Sequence, residues 1–281
     1  MKRMLKDVLC VVEPSEETSA ALLQALSLLQ GYGATAQFVA AAPAPPPVTN
    51  FFGSDLVASL IKSAKLEAAD TAQKVSDRIV ECASRYGINA NVTQEFLSLA
   101  EIAVHVREAA KTYDLTLIER PDSFLDSSAA IFETVLFESG RPVLLASPAT
   151  KPVERFKRAV LGWDGSVPAT RAIASMLSLF HDLEEIFVLT VVNEKDLSGT
   201  VPGADIGAHI RRHGIQVTVA SVDVESADGN PGQAILNFAT NQRADLIVMG
   251  GYGKSRFREF VLGGVTEYLS KVTPVPLLLV H

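Results

Sequence analysis

Short apolar runs alternate with longer segments of helical period along the whole chain, and the alternation is gone through twice. Lys6 to Val12 reads as a strand, and Ser15 to Gln30 as a helix ended by Gly31-Tyr32-Gly33. A strand over Ala36 to Ala41, a Pro-rich loop and a long amphipathic stretch from Asp55 to Tyr86 follow. Then come a strand over Asn89 to Glu95, a helix over Ala100 to Thr112 and strands at Leu115 to Ile118 and Pro142 to Ala146. A helical segment near Ala129 to Ser139 separates the last two. The apolar runs are continuous rather than alternating, as expected of a parallel sheet covered by helices on both faces.

The second half replays this order. Ala159 to Trp163 matches the first strand and Ile186 to Val192 the second. Arg211-Arg-His-Gly-Ile215 mirrors Ser84-Arg-Tyr-Gly-Ile88 before the third strand, and Ala244-Asp-Leu-Ile-Val-Met249 mirrors Tyr113-Asp-Leu-Thr-Leu-Ile118 at the fourth. Val275 to Val280 mirrors Arg141 to Ala146 at the fifth. Repetition in the same order points to duplication, with domains over 1–150 and 151–281 and a linker near Pro148 to Val153. Such βαβ units give right-handed crossovers and a doubly wound, Rossmann-like α/β fold.

Composition narrows the function classes. A hydrophobic fraction of 48% over 281 residues supplies packed cores. A net charge of -7 argues against nonspecific nucleic-acid binding and against anionic membranes, both of which call for clustered Lys and Arg. It leaves room for an anionic ligand held by backbone N–H groups. Cys10 and Cys82 are too few for a disulfide framework, and Cys10 reads as a small buried hydrophobe. The apolar stretch after Met1-Lys2-Arg3 is stopped by Glu13, too early for a signal core, and no run is long enough to span a bilayer. A soluble, cytoplasmic protein is expected.

The segment richest in chemistry is Met249-Gly-Gly-Tyr-Gly-Lys-Ser-Arg-Phe-Arg-Glu-Phe-Val-Leu-Gly-Gly-Val-Thr266. It leaves the carboxyl end of a buried strand and enters a helix, the place where open α/β sheets bind ligands. Gly250, Gly251 and Gly253 let backbone approach a ligand closely. Gly263 and Gly264 open the next helix, whose N–H groups and dipole suit phosphate, and Lys254, Ser255 and Arg256 add donors and positive charge. Two familiar phosphate loops do not fit. A Walker A loop needs glycine where Val248 stands, and a dinucleotide fingerprint needs one at Arg256 and belongs after the first strand. On residue type alone the glycines could also be no more than tight turns.

Gly250-x-x-Gly253, nine residues and then Gly263 with a small residue resembles the nucleotide motif of the universal stress protein family, and Asp164 after the first strand matches its pattern. The resemblance covers essentially the whole chain as two tandem domains. It implies two five-stranded parallel sheets of order 3-2-1-4-5, with ATP or AMP, possibly with Mg, between strands one and four. Gly162 and Asp164 would flank the adenosine, and the backbone of Val191 would meet the adenine edge. Met249, Gly250, Gly253, Gly263 and Val265 would line the phosphate side. The sequence departs from the family at Gly264, where ATP-binding members carry Ser or Thr. A hydroxyl hydrogen bond of about 0.5–1.5 kcal/mol is thereby lost, unless Thr266 or Ser255 replaces it.

The first half lacks these features. Glu13-Pro14 stands where the second half has Asp164, and Glu119 to Ala130 contains no glycine, with Glu119 and Asp122 set to repel phosphate. It is expected to be a degenerate copy acting as scaffold or regulatory partner. Among rival chemistries, His209 and His213 are spaced i, i+4 for a shared metal, but Arg211 and Arg212 beside them mark a solvated face, so no metal is expected. Ser166 has no base nearby in sequence and reads as a helix cap. Phe51 and Phe52, after the prolines of Pro43 to Gly53, read as a lid, an oligomer contact or a staple. The apolar fifth strands would be sheet edges if left exposed, so they are expected to pair within the chain as a pseudo-twofold dimer; a further homodimer is also expected. The reading is an ATP- or AMP-binding regulatory protein and not a dedicated enzyme. Its alternatives are a scaffold of the same fold that binds no nucleotide and a slow ATPase with Asp164 as the one candidate carboxylate.

Overall fold

The computed structural model describes residues 4–15, 18–44, 54–121, 127–149, 151–192, 203–251 and 264–281. The first half runs β1 (Asp7–Val12), α1 (Ala20–Tyr32), β2 (Thr35–Ala41), α2 (Ser54–Arg85), β3 (Asn91–Glu95), α3 (Leu99–Ala110), β4 (Leu115–Glu119), α4 (Ser127–Glu138) and β5 (Val143–Ala146). The second runs β6 (Arg158–Gly162), α5 (Val167–Leu179), β7 (Glu185–Val192), α6 (Ala204–Arg211), β8 (Gln216–Asp223), α7 (Pro231–Asn241), β9 (Leu246–Gly250), α8 (Gly264–Val272) and β10 (Leu277–Val280). Local chemistry sets the ends. Ser98 and Glu101 form a reciprocal capping box on α3, and Asn230 accepts from the N–H of Gly232 and Gln233 with Pro231 opening α7.

The strands form one ten-stranded sheet of order β3-β2-β1-β4-β5-β10-β9-β6-β7-β8. Each half is therefore a parallel sheet of order 3-2-1-4-5, two tandem doubly wound units as expected. The halves meet where β5 and β10 pair antiparallel, with Leu277 opposite Leu145, Leu278 opposite Leu144 and Leu279 opposite Val143. All six side chains are buried, so each apolar edge covers the other. The outer edges, β3 and β8, carry polar residues such as Asn91, Thr93, Gln216 and Thr218 on half-exposed strands.

Apolar side chains fill both faces of the sheet. On one face a single cluster runs from Leu22 and Leu26 of α1 to Met176 of α5, through Phe156 and Phe180, whose rings meet edge to face at 4.9 Å. The segment before β6 is strapped to α1. Gln24 and Val153 exchange two hydrogen bonds, Arg155 donates to the Gly31 carbonyl, and a Cβ on Gly31 would lie 2.0 Å from the Glu154 carbonyl oxygen.

Duplication is also visible in the turns ahead of the central strands. Asp114 accepts from the N–H groups of Lys6 and Asp7 ahead of β1, and Asp245 from those of Lys157 and Arg158 ahead of β6. Burial pushes the Asp245 carboxyl up, and the hydrogen bonds from Lys157 and Arg158 pull against that shift. Among the described residues, no helix is long and apolar enough to cross a membrane.

Candidate functional site

β6 is followed across the sheet by β7 on one side, while its other neighbour is β9, reached later in the chain. The chain thus turns away in opposite directions from the carboxyl ends of β6 and β9, which opens a crevice there. Parallel pairing along these strands ends with Gly162 opposite Met249. These two predicted residues are therefore direct neighbours at the lip.

The β6–α5 turn is built by three consecutive residues. Asp164 is exposed, and its Oδ1 accepts from the N–H of Ser166 at 2.9 Å. Gly165 takes a left-handed φ of 74°, which a side chain would resist. Ser166 caps α5 by accepting from the N–H of Ala169, as the sequence suggested for it. Among the described residues, the turn engages only one oxygen of the Asp164 carboxylate, just beyond the carboxyl end of β6.

β7 supplies the other wall. Its register with β6 stops at Gly162 opposite Leu189, and Trp163 donates its N–H to the Leu189 carbonyl at 2.8 Å. Successive residues of a strand point their backbone groups to alternate sides, so Val191 directs its N–H and C=O the same way as Leu189, where β6 has already turned off. Next to it, Thr190 Oγ1 is buried without a hydrogen-bond partner among the described residues. Sequence reasoning missed this hydroxyl; the signal was a lone polar residue inside the apolar run Ile186 to Val192.

The glycines divide by what surrounds them. A Cβ on Gly250 would lie 2.5 Å from the backbone nitrogen of Ala169 and 2.8 Å from Pro168 Cβ, so the first turn of α5 packs on the end of β9 only because that residue is glycine. A Cβ on Gly251 would press on Leu136 of α4 in the other half. Gly162 is not required by packing, since a Cβ there would meet its neighbours at ordinary distances of 3.5 Å and beyond. Among the described residues, nothing lies within 4 Å of such a Cβ on Gly264, the first residue of α8. Val265 is half-buried and Thr266 buried in the first turn behind it. Gly253, Lys254, Ser255, Arg256 and Gly263 lie outside the described residues, as do Phe51 and Phe52.

The two histidines at metal-ligand spacing, His209 and His213, stack edge to face at 5.1 Å. Among the described residues, no group of three or more His, Cys, Asp or Glu could hold a metal ion.

The first half carries a crevice at the matching point. Aligning the pairs Val8–Leu115 and Ala159–Leu246 places Val11 with Gly162, Glu13 with Asp164, Ile118 with Met249, Glu119 with Gly250 and Arg120 with Gly251. Here Ser19, the cap of α1, donates to the Glu119 carboxylate.

Comparison with known proteins agrees with this architecture. The model of the universal stress protein family matches residues 155–281. A Thermus aquaticus protein described as the universal stress protein in QAH/OAS sulfhydrylase 3′ region is 30% identical over 139 residues, covering 45% of this chain and 99% of that protein. Universal stress protein Rv1636 of Mycobacterium tuberculosis is 26% identical over 142 residues, covering 45% of this chain and 97% of its own length. The crystal structure of a universal stress protein from Archaeoglobus fulgidus superposes with a TM-score of 0.66, covering 97% of this chain and 95% of that one at 19% identity, a likeness of fold. With the duplicated 3-2-1-4-5 sheet and the glycine segment at its switch point, these matches establish that the chain belongs to the universal stress protein family.

Proposed function

We propose that the crevice between β6 and β9 binds an adenine nucleotide, ATP or AMP, and that the chain is a nucleotide-responsive regulatory protein. The observation that carries this reading is Gly162, which pairs with Met249 at the lip of the crevice. Among the described residues neither packing nor a left-handed backbone asks for glycine there, so its bare backbone is best accounted for by a ligand approaching the carboxyl end of β6. In this reading Asp164 and the backbone of Val191 take the adenosine. Met249 and Gly250 form the floor, while Gly253, Lys254, Ser255, Arg256, Gly263, Val265 and Thr266 complete the phosphate side.

The role that follows is one of linkage. A ligand at about a hundred times its Kd stabilises the folded chain by about 2.7 kcal/mol. Residues 151–281 form the binding domain in this scheme and residues 1–150 the regulatory partner, and no hydrolytic step is assigned. A homodimer needs a surface other than β5 and β10, which already pair with each other.

The test follows Trp163, the sole tryptophan, which adjoins Asp164. Titration with ATP and Mg, and separately with AMP, is expected to change its fluorescence saturably and to raise the melting temperature. A flat trace with no thermal shift would leave the scaffold reading in its place. Gly250 and Gly251 are the residues that favour that second reading, because packing alone accounts for both.

A further inference from the structure

The ten-stranded sheet has two outer edges, and they are guarded differently. β3 is 5 residues long, ends on Glu95 and lies against the 32-residue α2, whose Gln73 accepts from Gln94. β8 has 8 residues, a length of about 26 Å, and its covering helix α6 has only 8. From Gln216 to Val222 it reads Gln-Val-Thr-Val-Ala-Ser-Val, without a charge or a proline. Charge and proline are the devices by which exposed edge strands are kept from pairing.

The direction of the backbone shows what β8 offers. The Gln216 N–H donates to the Glu184 carbonyl, so Gln216, Thr218, Ala220 and Val222 turn their backbone groups toward β7. Val217, Val219 and Ser221 turn theirs outward. Among the described residues, the one hydrogen bond to these outward groups comes from the Arg211 side chain, to the Val217 carbonyl at a long 3.4 Å.

This pattern is its own complement. A two-fold axis through Val219, perpendicular to the sheet, sets Val219 opposite its copy and Val217 opposite the Ser221 of a second chain. Each pair so formed exchanges two backbone hydrogen bonds, and every outward group of the three residues is used. Charge agrees with the same axis. α6 carries Asp205 in its first turn and Arg211 and Arg212 at its end, all exposed and without an ion pair among the described residues. The axis runs α6 antiparallel to its copy, so each acidic start lies toward a basic end. Within the chain, β5 and β10 already cover one pair of bare edges by antiparallel pairing. We propose that β8 is a homodimer interface, at which two copies of the chain join their sheets edge to edge. The β6–β9 crevice takes no part in it, so the interface stands or falls separately from nucleotide binding.

The experiment is analytical ultracentrifugation of the full chain, combined with hydrogen exchange over β8. The parent is expected to be a dimer at micromolar concentration. Its Val217, Val219 and Ser221 amides are expected to be protected, and to lose that protection on dilution. Val219→Pro removes an N–H that the chain itself does not use, and is expected to give a monomer. Ser221→Lys puts a charge on the edge while leaving the backbone donors in place, and is expected to weaken the dimer about tenfold or more. Circular dichroism verifies that both variants are folded. A monomeric parent would leave the edge to a strand of some other protein and overturn the assignment. So would a dimer that withstands both substitutions, or β8 amides whose exchange does not depend on concentration.

Discussion

The two crevices of this chain share strand order, register and position, and differ in how closely a helix approaches the end of the fourth strand. In the second half α5 begins at Val167, directly after Asp164-Gly165-Ser166, and its first turn rests on Gly250. In the first half α1 begins only at Ala20, and the side chain of Glu119 takes the hydroxyl of the capping Ser19. One half closes its turn with backbone on backbone and the other with a carboxylate on a cap. The difference teaches that Gly250 serves the fold before it serves a ligand. The glycine that points to function is the one the fold leaves unconstrained, Gly162.

The sharpest way to break this comparison is to exchange the paired residues. Gly250→Glu puts a Cβ 2.5 Å from the Ala169 nitrogen, a clash with backbone that no side-chain rotation relieves. It is expected to destabilise the chain by about 3 kcal/mol or more in urea unfolding. Glu119→Gly removes one hydrogen bond from a turn already built to hold a side chain, and is expected to cost about 1 kcal/mol. Equal costs for the two would show that helix approach does not distinguish the halves.

A second exchange concerns the carboxylates ahead of the central strands. Asp245 and Asp114 make the same pair of backbone hydrogen bonds, but those of Asp245 are part-buried and those of Asp114 exposed. Removing Asp245 leaves two shielded N–H groups unpaired, whereas water reaches those freed by removing Asp114. Asp245→Ala is therefore expected to cost about 2–3 kcal/mol and Asp114→Ala about 1 kcal/mol. A larger loss from Asp114→Ala would reverse the ranking of the two turns.

Much of this was legible in the sequence because it depends on local pattern. The continuous apolar runs foretold the buried central strands, and the mirrored Tyr113-Asp-Leu and Ala244-Asp-Leu segments foretold the duplication that the aspartate turns display atom by atom. The pairing of β5 with β10 followed from the cost of leaving two apolar edges bare. The long helix was placed to within a residue, from Asp55 to Tyr86 against Ser54–Arg85. What was missed depends on distant parts of the chain. No local signal says that Ala169 will crowd Gly250, or that Ser19 will find Glu119 a hundred residues on. The α1 start was set too early, at Ser15 rather than Ala20, because Ser15 and Ser19 are both plausible caps. Asn230-Pro231 is itself a readable start signal for α7.

Gly264 tests the functional half of the comparison. A serine Cβ there would touch nothing within 4 Å among the described residues, so Gly264→Ser is expected to leave the fold intact. It would restore the hydroxyl that nucleotide-binding members of the family carry at this position. ATP affinity is expected to rise by about 0.5–1.5 kcal/mol, up to roughly tenfold, as read by Trp163 fluorescence. The melting temperature without ligand should stay near that of the parent. An affinity unchanged or lowered would separate Gly264 from the phosphate side of the crevice.

The smallest effect probes where the halves face each other. Glu133 lies on α4 and Glu267 on α8, pseudo-equivalent helices of the two halves, and Glu267 is held by Lys271 at 2.9 Å. Burial pushes the Glu133 carboxyl above its ordinary value, with the charge of Glu267 adding to the shift. A carboxyl whose pKa is raised by folding holds its proton more tightly in the folded chain than in the unfolded one. Its charge therefore opposes folding at neutral pH, and that penalty is relieved as pH falls through the raised pKa toward the ordinary carboxyl range. Glu133→Gln removes the penalty outright. It is expected to stabilise the chain at pH 7 by well under 1 kcal/mol, since the site is partly open to solvent. The gain should shrink to nothing in mildly acidic solution, where the parent Glu133 is itself neutral. Denaturation midpoints for the two proteins across that pH range provide the check. A gain that persisted in acid would mean that Glu133 is disfavoured for its shape, and that the halves do not repel through these two carboxylates.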